Sequence, residues 1–148
     1  MILDLHIAVK PLSANKMSGR NKSYQTPEYK AYQQEIRDEL EGIEWPFKDN
    51  PVSFHVEAGF SARQADLDNV IKPLLDTFQR IYEEFNDNKV YYVELNKKIV
   101  PKGEEYLWVR IKFAKSDMFE PNKKVDSSEV ITQRYRKVPE RTSNEDQL

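Results

Sequence analysis

The sequence predicts a single small α/β (α+β) domain in which two helices pack on a mixed β-sheet, with the elements in the order β-α-β-α-β-β. Two kinds of apolar periodicity predict this class. Four segments alternate apolar and polar residues as strands do, and two others repeat apolar residues every three or four positions as helices do. The chain of 148 residues is long enough to bury one core without cross-links. We expect the folded domain to span residues 1–114.

The first part of the domain is predicted to contain a strand, a loop and a helix. Residues 3–9 alternate and predict the strand, whereas residues 10–25 have no apolar period and predict the loop. Thr26-Pro27-Glu28 predicts a helix start, because a hydroxyl caps the helix, proline fits its first position and an acid favours its dipole. Gly42 and Pro46 mark the helix end. The apolar stripe on this helix consists of Tyr29, Tyr32, Ile36, Leu40 and Ile43.

The second part is predicted to contain three strands and one helix. Residues 52–60 alternate most clearly, with the apolar side chains on one face. Residues 70–81 have helical spacing, but Pro73 lacks an amide hydrogen. The regular helix therefore begins either near residue 70 or only at Pro73, after a tight turn over 68–72. Residues 89–99 and 105–114 predict two strands, which we expect to form a hairpin.

The composition excludes several classes of protein and of site. Without cysteine, neither disulfides nor thiolate metal sites can form, and His6 and His55 lie in separate segments that do not favour a zinc site. No apolar run approaches the ~20 residues of a membrane helix, and the N-terminal residues lack the features of a secretion signal. We therefore expect a soluble cytoplasmic protein with no membrane partner. The polar residues 115–148 predict a flexible tail.

A short acidic motif is the main candidate for chemistry. Asp66 and Asp68 are two positions apart at the end of an extended segment, so they project to the same side, within reach of one divalent cation. Lys72 follows Asp68 by one helical turn, and Asp87 supplies a third acid before the third strand. Three carboxylates and a lysine around a metal suit phosphodiester hydrolysis, because the metal polarises the phosphate and the lysine offsets developing charge.

Ordinary structural roles also explain each of these residues when it is taken alone. Asp68 suits a helix N-cap, Asp87 between two asparagines suits a turn, and Lys72 on a helix is usually solvated. These roles leave open a small interaction protein without catalysis.

Four motifs resemble those of the RusA family of Holliday junction resolvases. Residues 66–76 read D-L-D-N-x-x-K-P-L-L-D, and N-D-N-K-V follows about twenty residues later. Residues 11–15 (P-L-S-A-N) and 26–29 (T-P-E-Y) resemble the family's opening landmarks. The resemblance covers residues 2 to about 113.

The resemblance implies a RusA-like nuclease domain that acts as a homodimer. Such enzymes use a divalent metal, usually magnesium, with manganese as a substitute, to nick opposing strands of a four-way DNA junction. Matching motif positions assign Asp66, Asp68 and Asp87 as catalytic metal ligands and Lys72 as the essential lysine. The chain departs from the family at Asn86, where an aspartate is usual. The alternative is therefore a catalytically impaired junction-binding protein of the same fold, and in either case the source would be a bacterium or a phage.

The DNA contacts are expected on the loop after the first strand. The net charge of −2 does not indicate a polyanion partner, but no acid occurs between Asp4 and Glu28. A basic loop of this kind can bind backbone phosphates, although it is also typical of a merely soluble loop. With the resemblance, we assign DNA binding to this loop and to a further arginine: Lys10, Asn15, Lys16, Arg20, Lys22 and Arg63.

Overall fold

The computed structural model describes residues 1–19 and 24–115. Four strands and two α-helices follow one another in the predicted order, which confirms the predicted mixed fold of helices on a small sheet. Their bounds are β1 (Ile2–Ile7), α1 (Pro27–Glu39), β2 (Val52–Phe60), α2 (Ile71–Ile81), β3 (Val90–Ile99) and β4 (Tyr106–Phe113). The flexible tail predicted for 115–148 falls almost entirely outside the described residues and stays a prediction.

Helix α1 begins as predicted. The side chain of Thr26 accepts a hydrogen bond from the amide of Tyr29 at 3.1 Å, and Pro27 occupies the first helical position. The helix ends at its C-cap Leu40, ahead of Gly42, whose positive φ of 80° suits glycine. The stripe is buried along the helix, at Tyr29, Tyr32, Ile36 and Leu40.

Helix α2 begins at Ile71, before Pro73, and it follows a short 3-10 turn over Leu67–Val70. Pro73 therefore lies in the first helical turn, where backbone amides have no intrahelical partner and a missing donor costs little. The start near residue 70 is thus the correct one of the two predicted. Leu74 and Phe78 on this helix are fully buried.

The sheet has the strand order β1-β4-β2-β3, so the predicted hairpin of β3 and β4 is wrong. Strand β2 lies between them, parallel to β3 and antiparallel to β4. The unit β2-α2-β3 is a parallel crossover, after which the chain passes the end of β2 and returns on its other side. The predicted turn residues do form a turn, in which the amide of Glu104 donates to the carbonyl of Pro101 at 3.0 Å. That turn lies in the connection that carries the chain from β3 past β2 to β4.

The pairing follows from burial. Leu107, Val109 and Ile111 of β4 are completely buried, which suits an inner strand, whereas most residues of β3 keep some exposure, which suits an edge. Strand β1 ends at Ile7, two residues earlier than predicted, because the amide of Val9 donates to the carbonyl of Ile7 in a tight turn.

The core lies between the helices and one face of the sheet. Phe54 of β2 contacts Phe78 of α2 and Phe85, with ring centroids 5.7 Å apart in both pairs. The opposite face of the sheet carries polar groups that pair with one another, such as Glu57 with Tyr106 and Asp4 with Arg110. In the described ranges, no helix is long and apolar enough to cross a membrane. One face of the sheet thus packs against the helices, and the other faces solvent. The predicted acids lie at the ends of the strands and helices.

Candidate active site

The first two acids of the motif lie where the chain leaves β2. Asp66 is extended (φ −91°, ψ 119°) directly before the 3-10 turn, and its side chain makes no capping hydrogen bond. Asp68 lies within that turn, and the N-cap position of α2 belongs to Val70. Both carboxylates are exposed. Capping therefore does not explain either acid, and both are open to an external partner such as a divalent cation.

A lysine of β3 holds the segment that leads into Asp66. The ammonium of Lys97 donates to the carbonyl of Arg63 at 2.7 Å and to the carbonyl of Ala65 at 2.6 Å. It also lies 5.7 Å from the ring centroid of Phe60. The segment between β2 and Asp66 is thus fixed by a side chain from the neighbouring strand.

The third acid lies in a turn before β3. The Asn86 side chain accepts a hydrogen bond from the amide of Asn88 at 2.9 Å, so this residue takes the capping role in the turn. The amide of Asp87 donates to the side-chain carbonyl of Gln79 at 2.6 Å, and the Asp87 carboxylate is exposed. The departure from an aspartate at position 86 therefore falls on a residue with a local structural role.

The described part of one chain does not bring the three predicted acids together. Asp66 and Asp68 follow the carboxyl end of β2, whereas Asp87 precedes the amino end of the parallel strand β3. Asp68 lies before Ile71 and Asp87 contacts Gln79, and these two helical positions are about 12 Å apart along the axis of α2. No three His, Cys, Asp or Glu side chains within residues 1–19 and 24–115 lie close enough to hold one metal ion.

Lys72 is the second residue of α2, and it forms an ion pair with an acid of the same helix. Its ammonium is 3.2 Å from the carboxylate of Asp76, and the lysine side chain is 66% exposed. An exposed pair of this kind contributes only about 0–1 kcal/mol, so the ammonium can exchange this partner for a phosphate at little cost.

Two neighbouring clefts collect most of the remaining predicted residues. One of about 620 Å³ lies beside Asp66 and is also lined by Lys10, Asn15 and Lys16. Asn15 reaches the second cleft as well, which has a volume of about 690 Å³ and is lined by Lys72. The structure therefore brings the loop after β1 to both acidic and basic members of the motif.

The other three DNA-binding predictions are not tested in this way. Arg20 and Lys22 lie outside the described residues. Arg63 is exposed and lines neither cleft, although its carbonyl is bound by Lys97.

The sequence predictions did not assign five charged residues of these clefts to the site: Glu28, Glu35, Asp76, Arg80 and Glu105. Arg80 and Glu105 show which of them the sequence could have indicated. Arg80 lines the cleft of Lys72, and it lies eight residues, about two helical turns, farther along α2. That spacing was a usable signal. Glu105 lines the cleft of Asp66, where a 2.6 Å hydrogen bond from Ser61 holds the pKa of its carboxyl below the usual value. Nothing in the sequence connects Ser61 with Glu105, because the two meet only in the fold.

The sequence was compared with known protein families and with curated proteins. Residues 8–112 match the sequence model of the family described as endodeoxyribonuclease RusA. This range contains all four motifs, both helices, β2, β3 and nearly all of β4, whereas β1 precedes it. No curated protein matches the chain.

Proposed function

Because the chain belongs to the RusA endodeoxyribonuclease family, we propose that it resolves four-way DNA junctions by metal-dependent phosphodiester hydrolysis during recombination and repair. The observation that carries the proposal is the position of Asp66. Its carboxylate makes no capping hydrogen bond. It lies beside a cleft lined by Lys10 and Lys16, next to the cleft of Lys72. Carboxylates that make no capping hydrogen bond, next to exposed lysines, suit a site that binds a cation and a phosphate together. The reaction would take place in the cytoplasm of a bacterial or phage-infected cell.

The donor chemistry fits magnesium, with manganese as a substitute. Asp66, Asp68 and Asp87 offer only hard carboxylate oxygens, which magnesium prefers, and all three are exposed. A bound divalent cation would supply Lewis-acid polarisation of the scissile phosphodiester. Because the described part of one chain separates Asp87 from the other two acids, the complete donor set requires a second source.

A second copy of the chain is the source we propose. Strand β3 is an edge of the sheet, and it exposes the large apolar side chains Tyr91, Val93 and Ile99. An edge strand of ten residues offers a row of backbone donors and acceptors to another strand. Two copies paired antiparallel along β3 would bring Asp87 of one chain towards Asp66 of the partner subunit. Two such sites related by a two-fold axis match the two symmetric cuts that junction resolution requires.

The charged residues of the clefts have separate roles in this proposal. Lys72 offsets negative charge on the scissile phosphate as the bond breaks. Arg80, two turns along the same helix, extends this positive surface along the DNA backbone. Lys10 and Lys16 bind phosphates. Asn15 orients the loop between the two clefts, and its backbone amide donates a hydrogen bond to the side chain of Ser13 at 3.2 Å.

A junction-binding protein without catalysis is the second candidate. It is favoured by Asn86, which replaces a usual acid, and by the absence of a three-acid group within the described part of one chain. The basic residues Lys10, Lys16, Lys72 and Arg80 would then hold the junction without cutting it.

Cleavage of a synthetic four-way junction separates the two candidates. The purified chain is incubated with the labelled junction in magnesium or in EDTA, and linear duplex of the same arm sequences is the matched control. We expect paired cuts in the junction with magnesium, intact duplex, and binding without cutting in EDTA. A junction that is bound but stays uncut at every magnesium concentration supports the second candidate, and the lack of both binding and cutting contradicts both.

A further inference from the structure

Lys97 occupies an unusual position for a lysine. It lies on the same face of β3 as Leu95, which packs against the core, and it is only partly exposed. Its ammonium has three hydrogens to donate, and the carbonyls of Arg63 and Ala65 accept two of them at 2.7 and 2.6 Å. The charged group thus binds main-chain oxygens of residues that lie 34 and 32 positions earlier in the chain.

The segment that Lys97 binds has few other constraints. The last bond of the sheet in this region joins the amide of Val100 to the carbonyl of Phe60 at 2.7 Å. Between that point and Asp66, one backbone hydrogen bond is formed in the described chain, from the amide of Ala65 to the carbonyl of Ala62 at 3.3 Å. The contacts of Lys97 are shorter than this bond and carry a full charge, so they are the stronger tether.

The geometry connects this tether directly to Asp66. The carbonyl of Ala65 and the amide of Asp66 belong to the same planar peptide unit. Fixing that carbonyl therefore fixes the direction in which the chain enters Asp66 and, through the following 3-10 turn, Asp68. In that turn the amide of Asn69 donates to the carbonyl of Asp66 at 3.3 Å, which extends the constraint past both acids.

We propose that Lys97 is a positioning residue that orients the Asp66 and Asp68 carboxylates for the divalent cation by clamping the preceding loop. This inference rests on the metal-dependent function proposed above. Lys97 binds neither DNA nor metal in this account, because two of its three donors are already used. Residues that orient metal ligands in this way typically change metal affinity or activity about 10–100-fold when they are replaced.

The test compares Lys97→Met with Lys98→Met and Lys97→Arg. Methionine keeps a straight side chain of similar length beside Phe60 and removes the donors together with the positive charge. Lys98, which lies on the opposite face of β3, controls for the loss of one positive charge. Arginine can again donate to two carbonyls and should restore part of the function.

The first measurement, hydrogen exchange of the free protein, needs no activity. In Lys97→Met we expect faster exchange at the amides of Ala65 and Asn69, with unchanged exchange in β2 and β4. In Lys98→Met both sets should exchange as in the wild type. Unchanged exchange of the loop amides in Lys97→Met would overturn the clamp, and faster exchange throughout the sheet would show a general structural role instead.

The second measurement is the magnesium dependence of junction cutting. We expect Lys97→Met to raise the magnesium concentration for half-maximal cutting about tenfold, with junction binding in EDTA unchanged, and Lys97→Arg to reverse part of the shift. Weaker binding in EDTA at an unchanged magnesium midpoint would instead make Lys97 a phosphate contact and overturn the proposal. If the wild type does not cut, the proposed function fails, whereas the exchange measurement still decides whether the clamp exists.

Discussion

Two inactive variants, Asp66→Asn and Asp87→Asn, should restore cutting when they are mixed. The two acids lie at opposite ends of the sheet, and the two helical positions beside them, Ile71 and Gln79, are about 12 Å apart along α2. Two oxygens on one magnesium ion, each about 2.1 Å from it, can be at most about 4 Å apart. A site completed by the partner subunit accommodates this separation, because each site then takes its acids from two chains.

The size of the restored activity follows from counting sites. After free exchange of subunits, about half of the dimers carry one chain of each variant. In such a mixed dimer, one site carries both substitutions and the other carries neither. The mixture should therefore contain about a quarter of the wild-type number of intact sites. Because each active dimer has only one site, the main product should be a nicked junction instead of two separated duplexes.

The assay is denaturing and native gel analysis of a labelled four-way junction in magnesium. The matched control is a mixture of Asp66→Asn with Asp68→Asn, two substitutions at the same end of the sheet, in which no mixed dimer has an intact site. Native mass spectrometry of the mixtures confirms that subunits have exchanged. If mixed dimers of Asp66→Asn and Asp87→Asn form and cut no more than the control mixture, the shared site is refuted.

Three further substitutions test separate parts of the site and fold. Lys72→Ala should cut far more slowly even at saturating magnesium, since a lost charge-stabilising donor costs about 3–4 kcal/mol in such sites; full rescue by high metal would assign Lys72 to ligand organisation. A Lys10→Ala/Lys16→Ala double variant should bind junctions more weakly, with the slope of log affinity against log salt reduced by about 0.9 per lost phosphate contact; an unchanged slope places the DNA surface elsewhere. Thr26→Ala should lower the free energy of unfolding by about 1 kcal/mol in urea titrations, because the Thr26 hydroxyl caps α1 and also donates to the carbonyl of Lys16, whereas Thr26→Ser should retain most of the stability.

Features encoded within a few residues could be predicted from the sequence. The start of α1 depends on three consecutive residues, Thr26-Pro27-Glu28, and each strand on its own alternation, so the element order was predicted correctly. The pairing of β3 with β4 was wrong because a turn signature reports a change of direction and does not report which strand lies beside which. Here the parallel crossover through α2 decided the pairing.

The site divides in the same way. Asp66 and Asp68 could be predicted as candidate ligands because they lie two residues apart in one motif. Their separation from Asp87 could not be predicted, since it depends on the length of α2 and the direction of β3. The role of Lys97 could not be predicted from the sequence either. Lys97 binds main-chain carbonyls, and every residue type has a carbonyl, so the sequence of the bound segment does not indicate the contact.

The proposed metal site is tested most directly by the effect of three single substitutions on cutting and on binding. Asp66→Asn, Asp68→Asn and Asp87→Asn each remove one ligand charge and leave the basic residues of the two clefts, Lys10, Lys16, Lys72 and Arg80, in place. Each variant is measured for cutting of a four-way junction in magnesium and for junction binding in EDTA, beside the wild type. We predict that each abolishes cutting while its binding stays close to that of the wild type. Cutting at the wild-type rate by any one of the three would remove that residue from the site and contradict the account.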